Sequence, residues 1–242
     1  MAGFNNSNWA RLEYSREYRD NADNFIPERQ NLLRIVASFY RYFVRDGRSK
    51  RILDLGCGDG ILADTLFQQD RDAEIVVADG SAEMIASARQ RLSGGPNVEF
   101  CKSTFDDVVS VKFRHAPFDF IVSAFAIHHL EMPEKARLFH SIEGLLNPGG
   151  FFLNIDAATS GLFTDWYYQL WKEWILTHEE STKPEESAAE VPAHARAKPE
   201  NHFDSLQGQL SALEDAGFLD VECHYKFGMF SIYGGRKAGS VK

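Results

Sequence analysis

The chain is poor in cysteine. Only Cys57, Cys101 and Cys223 occur in 242 residues, far apart and odd in number. They form neither the close pairs of a zinc site nor an even disulfide framework, so a reduced, cytoplasmic setting without a bound metal is expected. A basic run is also missing: 26 Lys and Arg are scattered against 35 Asp and Glu, for a net charge of −9. Tracking a phosphate backbone needs such clustering, and no nucleic-acid partner is expected. Although 44% of residues are hydrophobic, no apolar run approaches the roughly 20 residues of a membrane span, and residues 1–20 lack the apolar centre of a signal peptide. No repeat is visible. The length suits one large α/β domain over 1–242 rather than two.

What is present is alternation. Residues 1–46 read as two helices, the first over Trp9 to Asn24, the second opened by Pro27 and carried by Leu32, Leu33, Val36, Phe39, Tyr40 and Phe43. Arg51 to Leu55 is a short apolar run that meets a glycine cluster and a helix to about Gln69. Glu74 to Ala78 repeats the pattern, with Ser81 placed to cap the next helix. Val98 to Cys101, Phe118 to Val122 and Gly150 to Ile155 read as further strands, with a helix from about Pro133 to Leu146. Strands alternating with helices predict a mostly parallel sheet. Residues 160–202 break the rhythm and read as a cap inserted after strand five. Phe163, Trp166, Tyr167, Leu170, Trp171 and Trp174 recur there at helical spacing, while Glu179 to Asn201 has weak periodicity and is expected mobile or loosely helical. An amphipathic helix over Asp204 to Ala216, stopped by Gly217, precedes two terminal strands at 220–225 and 227–233.

Leu53-Asp-Leu-Gly-Cys-Gly-Asp-Gly60 sets glycines at 56, 58 and 60, the composition of a tight turn with close backbone approach to a ligand. Ligands of open α/β sheets sit beyond the carboxyl ends of the strands, where this turn falls. A dinucleotide GxGxxG would need glycine at 61, where Ile61 stands, so a nicotinamide enzyme is disfavoured. Asp79 ends the second strand, 21 residues after Gly58, the separation of a carboxylate that accepts from ribose hydroxyls. Together with Ala78-Asp-Gly-Ser-Ala-Glu-Met-Ile85, this string resembles the class I methyltransferases that use S-adenosylmethionine (SAM), and the resemblance runs from Arg51 to Ala157.

That resemblance implies a Rossmann-like sheet of seven strands with an antiparallel last strand. It implies SAM as cofactor, with Gly56, Cys57 and Gly58 near the methionyl part, Asp79 on the ribose and Asp54 among the cofactor-binding residues. Gly80 and Met84 would lie beside the nucleoside, Ser103, Thr104 and Phe105 at the adenine, and Ser123 near the methionyl group. Thr104 stands where the family commonly has an acidic residue. From the N-terminal helices, Tyr18 and Arg29 are candidates to close over the cofactor, since a guanidinium can pair bidentately with the SAM carboxylate. Asn147-Pro-Gly-Gly150 matches the family's turn before strand five.

Methyl transfer from a sulfonium is an in-line displacement, so alignment is the protein's main task. A base is required only for an acceptor that carries a proton. His128 and His129, after strand four, are the catalytic candidates by pKa and place; positioning is their other reading. The aromatic cap helix, with Phe125 and Phe163, either walls an acceptor pocket or packs as core. Asp156 either faces the acceptor or ends its strand, and His202 reads as a cap or surface residue. No acidic loop or Asn-Pro-Pro-Tyr follows strand four, which favours a small-molecule acceptor. Carboxy-SAM synthases share the cofactor residues, so a SAM-binding enzyme without methyl transfer is the alternative, followed by a non-catalytic binding protein. The aromatic N-terminal helices suggest a homodimer.

Overall fold

The structure is a computed structural model and describes residues 22–95, 97–110, 113, 115, 117–177 and 190–239. Seven strands form one sheet: β1 (Arg51–Leu55), β2 (Glu74–Asp79), β3 (Val98–Lys102), β4 (Phe118–Ala124), β5 (Leu146–Ala157), β6 (Leu219–Phe227) and β7 (Phe230–Arg236). Their order is β3-β2-β1-β4-β5-β7-β6. The first five run parallel, and β7 lies antiparallel to both β5 and β6. Four of the five β1 residues are buried, as a strand covered on both faces requires. Strand order reverses between β1 and β4, which opens a crevice at their carboxyl ends.

Helices cover both faces. On one, α1 (Arg29–Phe39), α2 (Ile61–Phe67) and α3 (Ala82–Arg91) bring Leu32, Leu62 and Ile85 against Ile52, Val77 and Phe120. On the other, the short α4 (Phe105–Val109), α5 (Met132–Leu145) and α8 (Leu206–Asp215) pack Val108, Phe139 and Leu213 against Leu53, Ile121 and Phe152. Ser81 caps α3 as expected, its Oγ accepting from the Met84 N–H at 3.4 Å. Residues 22–25 are helical; the rest of the first expected helix lies outside the described residues.

Three local expectations need correction. β5 begins at Leu146, because Asn147-Pro-Gly-Gly150 is an irregularity inside the strand, pinned by Asn147 Nδ2 donating to Asp119 at 3.0 Å. Helix α4 has too few residues for a period to show; it is started by a reciprocal capping box between Thr104 and Asp107. Part of the stretch expected to be loose is the regular helix α7 (Val191–Ala197), with Pro192 in its first turn.

The cap rises between Thr159 and Ser205, which form a parallel bridge. Its neck is closed by Thr159 N–H to Asp204 O at 3.0 Å and Leu206 N–H to Thr159 O at 3.4 Å. In α6 (Thr164–Thr177), Tyr167, Trp171 and Ile175 are buried, one helical turn apart. Trp171 meets Phe230 edge-on at 5.1 Å, and its Nε1 donates to Phe25 O at 2.7 Å. The inner stripe is therefore core that ties cap to N-terminal segment, whereas Phe163 and Trp166 are half-exposed or more.

Candidate functional site

The glycine turn is built on the end of β2. The N–H groups of Gly56 and Cys57 both donate to Ala78 O, at 2.8 and 3.1 Å. Gly56 has φ +70°, and a Cβ there would stand 2.5 Å from Ala126 Cβ. Gly58 has φ +53°, but a Cβ there would meet nothing within 4 Å. Gly60, at φ +79°, does the close packing: its Cβ would come to 3.1 Å from Ala88 Cβ of α3. A packing glycine thus exists one position before the one a dinucleotide pattern demands.

Asp79 braces this turn. Its Oδ2 accepts from the Gly58 N–H at 3.0 Å and its Oδ1 from the Ser81 N–H at 2.8 Å. Burial pushes the carboxyl up to about 6, against the pull of these two donors. Asp54 lies below, fully buried; Oδ2 accepts from the Ala63 N–H at 3.0 Å, and Oδ1 has no hydrogen-bond partner. Desolvation raises this carboxyl to about 7, opposed by the Ala63 bond. Cys57 is a buried thiol raised by the same cause.

The remaining expected residues are placed as follows. Gly80 and Met84 are buried at the start of α3. Ser103 N–H donates to Asp79 O at 3.0 Å, which joins the turn after β3 to the end of β2. Thr104 Oγ1 is occupied by the capping box, donating to Asp107 Oδ2 at 2.8 Å. Phe105 faces the glycine turn, 3.4 Å from where a Gly56 Cβ would be. A cleft opens here, lined by Arg29, Cys57, Gly58, Met84, Ala124 and Phe125 among others. Arg29 Nη1 pairs with Asp23 at 2.7 Å. Ser123 is fully buried with no hydrogen bond at Oγ, and the structure puts the next two residues, Ala124 and Phe125, at the cleft instead. Tyr18 lies outside the described residues.

Phe125 departs from what sequence could foretell. It takes φ +53°, a left-handed conformation that costs a side-chain-bearing residue about 1–2 kcal/mol, held by its N–H bond to Ile155 O at 2.8 Å. Only the junction of β4 and β5 imposes it. Leu32 and Leu33 of α1 also line the cleft, and in the sequence nothing separates them from the helix's other apolar positions.

His128 and His129 occupy a short 3-10 turn after β4, Ile127–His129, outside the cleft lining. Asp156 does more than end β5: it accepts from the His128 N–H at 2.9 Å, and its Oδ1 lies 2.6 Å from His128 Nδ1. Burial alone would raise Asp156, but the adjacent imidazole and the Lys135 charge hold it below its ordinary value. His129 Nδ1 lies 3.1 Å from Glu200 O, and burial, then the charge of His128, pushes this imidazole well down. His202 is no cap; its N–H donates to His128 O at 2.8 Å, and its carbonyl accepts from the buried Lys135 Nζ at 2.5 Å. Among the described residues, no group of three or more His, Cys, Asp or Glu could hold a metal ion, and no helix is long and apolar enough to cross a membrane.

Comparison with known proteins gives a coherent result. Residues 52–150 match the family described as a methyltransferase domain. The chain is 29% identical over 138 residues to an uncharacterized methyltransferase of Mycobacterium tuberculosis, covering 57% of this chain and 66% of that protein. It is 25% identical over 219 residues to the carboxy-S-adenosyl-L-methionine synthase of Haemophilus ducreyi, 86% of this chain and 84% of that protein. Among solved structures, an O-methyltransferase family protein from Burkholderia thailandensis superposes with a TM-score of 0.68 at 16% identity, over 99% of this chain and 64% of that one. The chain spans just under two thirds of the mycobacterial relative and of this structural neighbour.

Proposed function

We propose, for a chain whose residues 52–150 are a methyltransferase domain on the class I fold, that it transfers the methyl group of SAM to a small-molecule acceptor and yields S-adenosylhomocysteine. The observation that carries this reading is Asp79, anchored between the glycine turn and the first turn of α3. Its two backbone bonds aim the carboxylate before any ligand arrives, while lone pairs remain for a pair of hydroxyls. The open space over Gly58 and the unmet Asp54 Oδ1 fit a cofactor that brings a cationic amino-acid end.

Bound SAM would supply an electrophilic methyl on a sulfonium. Gly56, Cys57 and Gly58 would hold its methionyl part, with Asp54 beneath; Arg29 would leave Asp23 to take the carboxylate. Asp79 would hold the ribose, Gly80 and Met84 the nucleoside, and Ser103 to Phe105 the adenine edge. Ser123 would act through the backbone it continues into Ala124. His128 would remove the acceptor's proton through Nε2, with Nδ1 directed to Asp156, and His129, kept neutral by burial, would back it. The scattered basic residues support a small acceptor over nucleic acid. A cytoplasmic location agrees with the unpaired cysteines. Tyr42, 81% exposed, and Phe43 beside it support a homodimer, which sedimentation of a single monomeric species would refute.

Titration calorimetry with SAM tests the reading. Asp79→Ala is expected to weaken binding by more than about tenfold, the worth of a charge-assisted hydrogen bond; unchanged affinity sinks the assignment. A second reading draws on the length of the match to the Haemophilus carboxy-SAM synthase. Mass spectrometry of the copurified ligand separates the two, since a cofactor carrying an extra carboxyl favours the synthase.

A further inference from the structure

We infer that Gln209, Tyr233 and Asn154 form a buried polar chain, directed from the neck of the cap, that keeps Asp156 a pure acceptor toward His128. This deepens the proposal that His128 is the base, and rests on it. The chain starts at Asp204, whose backbone carbonyl can only accept. Gln209 Nε2 donates to it at 3.3 Å, which turns Gln209 Oε1 toward Tyr233. The Tyr233 hydroxyl donates to that oxygen. Its proton being used, the phenolic oxygen accepts from Asn154 Nδ2 at 2.7 Å. The same amide nitrogen directs its second proton to Asp156 Oδ2 at 3.4 Å.

Asp156 therefore meets three fixed donors, the Asn154 amide, the His128 N–H and the Ala157 N–H, and its Oδ1 lies 2.6 Å from His128 Nδ1. An ionised carboxylate has about four acceptor sites. Three are filled by fixed donors, which favour the charged carboxylate, and the fourth faces His128 Nδ1; the proton between them therefore stays on Nδ1, and Nε2 keeps its electron pair. Were Asn154 turned over, its carbonyl oxygen would face the carboxylate. Tyr233 forbids that, because it has no proton left to offer.

Gln209, Tyr233, Asn154 and Asp156 are each at most 1% exposed. Burying a phenol hydroxyl and two amides is costly, the more so because Asn154 Oδ1 has no hydrogen-bond partner, and phenylalanine or leucine would fill the same space without that cost. The chain's anchor is also functional ground: Asp204 pairs with the buried Lys135 at 2.6 Å and takes the Thr159 N–H at the cap neck. Seating of the cap and orientation of the base thus share one residue. Tyr233 and Gln209 touch neither cleft nor histidine and are positioning residues.

Proton NMR tests this without any acceptor, so its outcome is independent of whether methyl transfer is found. The wild type is expected to show a strongly deshielded Nδ1 proton of His128, assigned by its loss in Asp156→Asn. In Tyr233→Phe that resonance should move and exchange with water several-fold faster, and Asn154→Leu should do at least as much. Tyr225→Phe, on β6 outside the chain, should leave it in place. SAM binding measured on each variant reports whether the fold is intact; Gln209→Leu replaces Tyr233→Phe if the latter does not fold. An unchanged resonance in a folded Tyr233→Phe or Gln209→Leu, or no deshielded His128 proton in the wild type, overturns the inference.

Discussion

Gly56 and Gly58 both lie in the left-handed region, yet they answer to different constraints. At Gly56 the protein itself occupies the space, with Ala126 2.5 Å from a would-be Cβ; at Gly58 nothing intrudes. Both alanine variants carry the backbone cost of about 1–2 kcal/mol. Gly56→Ala should add a steric clash, and its melting temperature should fall well below that of Gly58→Ala. Gly58→Ala should instead lose SAM affinity with its fold largely intact, and equal melting temperatures would contradict this division. Asp79 adds a pH dependence. Unliganded, its carboxyl is pushed up to about 6, and ribose hydroxyls are best accepted by the charged form. SAM affinity should thus fall as pH drops through about 6; flat calorimetric affinity from pH 5 to about 8 would count against Asp79 as the ribose ligand. The residue types of this turn were readable from sequence, because glycine at 56 and 58 and aspartate at 79 each answer a local need. The φ of Phe125 was not, since nothing in a phenylalanine announces a left-handed backbone.

Helix α6 shows the same division one level up. Aromatic spacing showed a helix with one apolar face but not what that face meets. The fold splits it: Tyr167, Trp171 and Ile175 go inward, Trp166 outward. Trp171→Phe should lose the bond to Phe25 O, worth about 1 kcal/mol, along with contact against Phe230. Trp166→Ala should change stability by no more than about 0.5 kcal/mol. Denaturant titrations of the two variants compare them directly, and a larger loss at Trp166 would mean the outer face is covered by something else. Helices α4 and α7 bury one residue each, Val108 and Pro192, so no apolar face marks them in the sequence; they are set by the Thr104 capping box and by Pro192.

For the whole molecule, Asp54 links stability to pH. Burial pushes its carboxyl up to about 7 in the folded chain from an ordinary 3.8, so the fold binds that proton more tightly than the unfolded chain does. Its contribution is complete below about pH 4 and is lost as pH rises through about 7. Asp54→Asn, which can still accept from Ala63, should gain melting temperature relative to wild type between about pH 5 and pH 8 without cofactor; a constant difference would disprove the linkage. The sequence by itself determined the parallel sheet, the glycine turn and its acidic partner, since each rests on short-range rules: alternation of strand and helix, backbone freedom at glycine, one carboxylate at a strand end. Only the tertiary structure decided that His128 is held by Asp156, that His202 and Lys135 clamp the cap neck, and that Gln209, Tyr233 and Asn154 give the chain its direction. Apart from Gln209 and its anchor Asp204, those partners stand 24 to 79 residues apart in the sequence, and pairing across such distances is set by how strands and helices stack, which no local pattern records.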